Sequence, residues 1–537
     1  MTAAPTTTSV RDGAVAETLL AAGILLATLT EAVAGTVLSL GRGDIMGDTH
    51  ATPDEFAWLD IGYTTLKLTG FMAAPWLMTR IPPPGVVVSS TLVMGLACGI
   101  AAVTDRLDLL VALRAIQGFA GGTLLVGGQA ILFLACSRSR QPVLQAVFAV
   151  GAVVAPATIA PAFQGWLLDS QSWSWIFFSV VPLALAAAGL LLIANGPMPA
   201  AIAPRPFDGF GFALIAVTFF CITCVLSQGS RWDWFEEPRI LWLTVTGAAA
   251  LLVFLAQQAS MKGRGLLDVS PFASDAFSFA FIVSFVAGAA LFGSAFLIPS
   301  FALSVLAFTP TEAGLLLLPS GGLFIGSLLM AAFLIQVRRV PPFATVPFGI
   351  LAIMAAMWML SGSTAESGAG DMMAMILLRG LGLGLLFLSI TLIAFGTLDR
   401  RSLAAGIGLF NMGRQLGGLM GVAALQTLID HGVAANATVL GANVTAGGTL
   451  LTERLTTTAA TLTAKGLEAA AAGRVAMSLL GRIVAGQSTV IAFDTAFNAL
   501  ALLFVIAAPV LIGVKIGLSH RRMARAARCR YGGSDPR

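Results

Sequence analysis

Fourteen apolar stretches succeed one another along the chain, and this run of stretches constrains the fold more than any other feature. They cover residues 17–40, 57–79, 85–103, 109–134, 143–168, 175–195, 209–227, 239–257, 276–298, 312–335, 343–360, 372–396, 406–429 and 489–513. A helix needs about 20 mostly apolar residues to cross a bilayer, and each stretch meets that need. The composition agrees. The 537 residues are 57% hydrophobic and 10% charged, whereas soluble domains carry about 25% charge. The expected class is an all-α integral membrane protein of fourteen transmembrane helices.

An even number of spans places both termini on one side. Short loops on the expected inner side hold ten bases: Arg80, Arg138, Arg140, Arg205, Lys262, Arg264, Arg338, Arg339, Arg400 and Arg401. Short loops on the other side hold four, Arg42, Arg106, Arg231 and Arg239. Lys and Arg favour the cytoplasmic side, so both termini are expected there, in an inner (plasma) membrane. The tail HRRMARAARCR, His520 to Arg530, carries much of the net charge of +4, as juxtamembrane basic tails do. So small an excess does not argue for nucleic acid.

The expected organisation is a tail over 1–16, six spans over 17–195, two further spans over 209–257, six spans over 276–513, and the basic tail 514–537. Residues 430–488 read as a long outer loop, polar, Ala/Thr-rich and partly helical. A weak repeat supports two six-span halves: QGFAGGTLL from Gln117 and RGLGLGLLF from Arg379 each fall in the fourth span of a half. Repeats of this kind are common in secondary transporters, although glycine is also an ordinary helix-packing residue in membranes. Cys221 and Cys224 form a CxxC inside an apolar run, where they read as packing residues. The spans show no metal-ligand cluster, nucleotide loop or Ser/His/Asp set, so an enzyme is not expected and no cofactor is implied.

The ionisable groups inside the spans are the candidates for function, because charge within a bilayer is costly and marks pathways or relays. Of 26 carboxylates, only Glu31, in ILLATLTEAVAGTVLSL, lies deep, roughly 13 Å from the span end at 1.5 Å per residue. Asp60 lies near a span end. Four bases lie within spans: Lys67, Arg114, Arg379 and Arg414. Lys67 is roughly 15 Å deep on the next span. A contact between Glu31 and Lys67 is therefore expected, either as a proton-exchanging pair or as a static one that fixes helix packing. Arg379 sits near a span end and is expected to snorkel. Arg414, in GLFNMGRQLGG with Asn411, admits a static or a functional reading.

The motifs carry a resemblance. LRAIQGFAGG (Leu113 to Gly122), VVAPATIAPAFQGWLLD (Val153 to Asp169), WSWIFFSVVP (Trp173 to Pro182) and DRRSLAAGIGLFNMGRQLGGLMGVAAL (Asp399 to Leu425) resemble the major facilitator superfamily, in its fourteen-span drug:proton antiporter branch. The resemblance implies two six-helix halves plus two inserted helices. It implies a proton-translocation role for Arg114, beside Gln117 and Gly118. It implies that Pro156, Pro161 and Gly165 form the fifth-span antiporter motif, whose small residues close the cavity. Glu31 takes the place of the family's first-span aspartate, and Thr79 falls where the loop motif has an acid. Lys67 is not part of the pattern. The implied activity is proton-coupled export of lipophilic small molecules by alternating access, driven by the proton gradient, within membrane lipids. The implied partners are a periplasmic adaptor and an outer-membrane channel. A solute importer or facilitator, or a lipid flippase on the same scaffold, are the competing readings.

Overall fold

The computed structural model describes residues 7–194, 206–261, 265–442, 444 and 448–531, with side chains described between Val15 and Ala507. Arg205, Lys262, Arg264 and the two chain ends lie outside the described residues. The stretch His520 to Arg530 is described as backbone only.

Seventeen α-helices are found among the described residues. The first group is α1 (Thr7–Thr36), the short α2 (Arg42–Thr49), α3 (Pro53–Arg80), α4 (Pro83–Ala101), α5 (Leu107–Ala135), α6 (Gln141–Ala149), α7 (Ala160–Ser170) and α8 (Ser174–Ile193). A π-helical segment, Val150–Ile159, joins α6 to α7. Then come α9 (Gly209–Gln228) and α10 (Pro238–Ser260), which pack on each other, α9 also touching α3 and α15. The second group is α11 (Asp275–Ser304), α12 (Pro310–Gln336), α13 (Val346–Leu360), α14 (Ala369–Phe395), α15 (Arg400–Ala442), α16 (Thr449–Ala464) and α17 (Ala469–Tyr531). The fold is an all-α integral membrane architecture.

Among the described residues, twelve helices are long and apolar enough to cross a membrane. The other two expected spans, 57–79 and 406–429, lie on α3 and α15, helices of 28 and 43 residues. These fall short of the same apolar measure because they carry the polar groups of the site, Asp60 and Lys67 on one and Asn411 and Arg414 on the other. Residues 430–488, expected as a partly helical loop, are mostly helix: α15 runs on to Ala442, and α16 and the start of α17 follow. Threonine disguised this. The hydroxyls of Thr456, Thr458, Thr461 and Thr463 each bond a carbonyl one turn back, so they are satisfied within the helix instead of competing with it.

The internal repeat is written more plainly in the packing than in the glycines alone. Helices α3 and α12 both open on a capping box. Thr52 and Glu55 exchange side-chain and backbone hydrogen bonds, as do Thr309 and Glu312, with Pro53 and Pro310 at the first helical position. This arrangement satisfies donors that a helix start otherwise leaves orphaned. The sequences are TPDE and TPTE. Further along, a Cβ on Gly118 or Gly122 of α5 would overlap the carbonyls of Tyr63 and Lys67, and a Cβ on Gly380 or Gly384 of α14 would overlap or crowd those of Ser320 and Phe324. Tyr63 and Ser320 each lie eleven residues after their capping threonine. The same crossing is therefore built twice in the same register, and Gln117 of the first half stands where Arg379 stands in the second.

Candidate functional site: a buried charge cluster and its link across the halves

Glu31 is 2% exposed, one turn and a half before the end of α1. Its Oε1 lies 2.5 Å from Lys67 Nζ and accepts a hydrogen bond of 2.8 Å from the Tyr63 hydroxyl. Tyr63 and Lys67 are four residues apart on α3, so they lie on one face. The glycine crossing of α3 on α5 then brings in Arg114. Its guanidinium stacks 4.1 Å from the Tyr63 ring centre, donates to the Ala34 carbonyl at 2.6 Å and to Gln117 Oε1 at 3.0 Å. Asp60 lies one turn before Tyr63 on α3 and within electrostatic reach of both Arg114 and Lys67. The wall behind Glu31 is Gly121, where a Cβ would stand 3.0 Å from its Cγ.

The expected Glu31–Lys67 contact thus forms, although by a different geometry from the depth argument. Helix α1 ends at Thr36 and α3 starts at Pro53, so the two residues are not equally far from their helix ends. Both helices pack on α5, and the two long side chains reach across to meet. Tyr63 was missed, yet it is one of two tyrosines in the chain and sits one helical turn from Lys67.

A second polar path joins the halves. Arg414 donates to Asn411 Oδ1 at 2.6 Å, Asn411 donates to Gln129 Oε1 at 3.2 Å, and Gln129 donates to Gln145 Oε1 at 3.2 Å. The chain runs from α15 to α5 to α6. Arg414 is also within electrostatic reach of Glu31 and lies 5.9 Å from the Phe387 ring centre. Asn411 and Arg414 thus form a buried polar chain between the halves, beside the first-half charges and within electrostatic reach of Glu31.

Pro156, Pro161 and Gly165 sit elsewhere, along the seam between the halves. Pro156 lies inside the π segment, where the missing N–H disrupts the regular ladder. A Cβ on Gly165 would overlap the Pro310 carbonyl, and one on Gly314 would come 2.5 Å from the Pro161 carbonyl. Asp169 accepts from the Thr311 amide at 3.1 Å. This seam closes the end of the bundle that holds α2. The opposite end closes too: Gly408 of α15 abuts the Phe71 carbonyl of α3, and the rings of Phe133 and Phe395 meet edge-on at 5.5 Å.

Arg379 departs from expectation. It does not snorkel: it is 0% exposed, and its Nε donates to Ser294 of α11 at 2.7 Å. It lies ten residues into α14, too deep for the side chain to reach the helix end. Among the described residues, no group of three or more His, Cys, Asp or Glu side chains is placed to hold a metal ion.

Known proteins fit this architecture. The chain is 26% identical to the multidrug export protein EmrB of Haemophilus influenzae, over 75% of this chain and 79% of that one. It is 27% identical to the multidrug resistance protein B homolog of Mycobacterium tuberculosis, over 76% and 75% of the two chains. Its fold is similar to the crystal structure of a bacterial homolog of the human lysosomal transporter Spinster in an inward-facing, unoccupied conformation. That similarity has a TM-score of 0.55 and 12% identity, and covers 93% of this chain and 97% of that one. Residues 20–422 match the family model of the Major Facilitator Superfamily; the chain belongs to this family of multi-pass membrane transporters.

Proposed function

We propose that this transporter exports lipophilic small molecules across the inner membrane in exchange for protons, with Glu31 as the proton-carrying group. The observation that carries the reading is the buried Glu31 carboxylate held between the Lys67 ammonium and the Tyr63 hydroxyl. An acid buried against a base can trade the ammonium beside it for a proton. Arg114, stacked on Tyr63, keeps the ring and its hydroxyl aimed at Glu31. Asn411 and Arg414 carry the state of this cluster to the second half, where a rocking motion between halves would expose the site to each side in turn. Similarity to multidrug export proteins supports export as the direction and lipophilic drugs as the cargo.

The proposal includes the orientation drawn from the loop charges, with both termini cytoplasmic and the α2 end facing out. It also includes a periplasmic adaptor and an outer-membrane channel as partners. The helical arm of α16 and the first turns of α17 is the surface offered to them.

The test is transport in proteoliposomes. Wild-type protein should accumulate a lipophilic substrate against its gradient when a pH gradient is imposed. The Glu31→Gln protein should still exchange labelled for unlabelled substrate at equilibrium but lose pH-driven accumulation. Unchanged pH-driven accumulation in Glu31→Gln sinks the reading.

A further inference from the structure

The repeat makes the two halves comparable residue by residue, and they differ in one respect. In the first half a carboxylate, Glu31, is gripped by a hydroxyl from position 63 and a cation from position 67. In the second half the position matching Tyr63 is Ser320, 0% exposed, and its hydroxyl has no partner among the described residues. The position matching Lys67 is Phe324. A cation is nevertheless present, because Arg379 replaces Gln117 on the helix that crosses at Ser320. Gly380, the next residue, touches Ser320 directly.

The carboxylate is what the second half lacks. Helices α11, α12 and α14 hold acids only in their first turns, Asp275, Glu312 and Asp371. Among the described residues, no carboxylate bonds the Arg379 guanidinium, Asp494 of α17 included. Arg379 spends its Nε on Ser294, while Nη1 and Nη2 are buried without a partner. Two parallel guanidinium N–H groups are the fork that binds a carboxylate or sulfonate in bidentate fashion. Retaining an uncompensated guanidinium there is costly unless something neutralises it for part of the cycle.

We propose that Arg379, with Ser294 and Ser320, is the head-group site for a lipophilic anion, so that the substrate carries a carboxylate or sulfonate which occupies in the second half the place Glu31 holds in the first. The proposal rests on the export reading, since it names the class of the exported molecule. It gives the two halves separate tasks: the first half holds the proton and the second holds the cargo's charge. It also accounts for a buried guanidinium that no acid meets, whereas Lys67 pairs with Glu31 and Arg114 lies within reach of Asp60.

The experiment compares binding of 2-naphthoate with that of 2-naphthamide, which share the ring system and differ in charge. Purified full-length protein in phosphatidylcholine nanodiscs is titrated calorimetrically at pH 7.5. The wild type should bind naphthoate at least about tenfold more tightly than the amide, the strength expected of one charge-assisted bidentate contact. Arg379→Gln should erase the preference by weakening naphthoate alone, and Arg379→Lys should retain part of it. Equal binding of the two probes by wild type overturns the proposal without recourse to any variant. So does a preference that survives Arg379→Gln in protein that elutes and unfolds like wild type. No pH gradient is present, so a failure of proton coupling at Glu31 leaves this result unaffected, and an absent naphthoate preference leaves the coupling test intact.

Discussion

Replacing Lys67 by methionine tests whether the buried pair is a structural unit. The substitution keeps the length and most of the apolar contact of the side chain and removes the ammonium that lies 2.5 Å from Glu31. Glu31 is 2% exposed, and the Tyr63 hydroxyl is the hydrogen bond that remains to it among the described residues. Breaking one side of a buried ion pair costs about 3–5 kcal/mol. The surviving hydrogen bond to a charged acceptor offsets part of this, so the loss should fall near about 3 kcal/mol. Glu31→Gln should cost a similar amount, because the ammonium loses its carboxylate partner and keeps only the Tyr63 ring, 5.4 Å away, and Asp60 at longer range. The double variant Glu31→Gln/Lys67→Met removes both charges and keeps a neutral acceptor for Tyr63. It should lie within about 1–2 kcal/mol of wild type, since neutral replacement of a buried pair is often tolerated. The assay is reversible unfolding in mixed dodecyl sulfate and dodecyl maltoside micelles, read through the tryptophans, with the cycle computed from the four proteins. The double variant should fold well yet fail to couple transport to a pH gradient. If the double variant loses the sum of the two single losses, the side chains do not act as a pair and the argument fails.

Gly118→Ala should destabilise the protein by about 2 kcal/mol or more, because its Cβ would overlap the Tyr63 carbonyl and force the α3–α5 crossing apart; Gly380→Ala should do the same through Ser320, and stability near wild type for both would contradict the repeated crossing. Asp208 caps α9 and accepts from the Gly211 amide, Gln257 and Gln258. Burial pushes its carboxyl up, but these bonds outweigh it and hold the group below its ordinary value. Its stabilisation is therefore complete above about pH 4 and lost only as pH falls through the lower folded value. The penalty of Asp208→Asn should be constant between about pH 5 and 8 and shrink only in stronger acid, and a penalty that varies across the neutral range would refute the assignment. Asp169→Ala removes the acceptor at the α12 start and should raise labelling of a cysteine placed at that seam about threefold, the scale of one helix-terminus contact; unchanged labelling would show that the seam does not depend on it.

The spans were legible because hydropathy at helix length needs no tertiary information. The deep acid was legible for the same reason, since one carboxylate in a long apolar run stands out in any reading. What escaped was what depends on register between helices. Matching depths suggested Glu31 and Lys67, but the contact is set by α1 and α3 both packing on α5, with Gly118 and Gly122 drawing α3 close, and Tyr63 enters only through that packing. The repeated capping box is present in the sequence, as TPDE and TPTE, but it gains meaning once α3 and α12 are seen to occupy matching places. Arg379 was misread because depth within a span says how far a side chain is from the membrane surface, not whether a neighbouring helix covers it. Ser294, one of five serines on α11, carries no sequence signal for the guanidinium it receives.

The two closures of the bundle are made of different material, and this difference bears on how the site would open. At the α2 end the halves meet through backbone, Gly165 on Pro310 and Gly314 on Pro161, with one carboxylate, Asp169, capping the seam. At the other end one backbone contact, Gly408 on the Phe71 carbonyl, is joined by rings and an amide chain, Phe133 on Phe395 and Asn411 on Gln129. Backbone seams fit or separate as rigid surfaces, since close-packed contacts do not stretch. Rings and amides can exchange partners by rotamer changes. Only the second closure shares residues with the charge network, through Arg414 and Asn411. A change of charge at Glu31 therefore reaches the ring-and-amide closure directly, and reaches the backbone seam only by moving one half as a body. Substituting Asn411 by alanine should thus loosen one end of the transporter and leave the other shut, which paired cysteine labelling at the two ends can read. Equal loosening at both ends would show that the network does not discriminate between them.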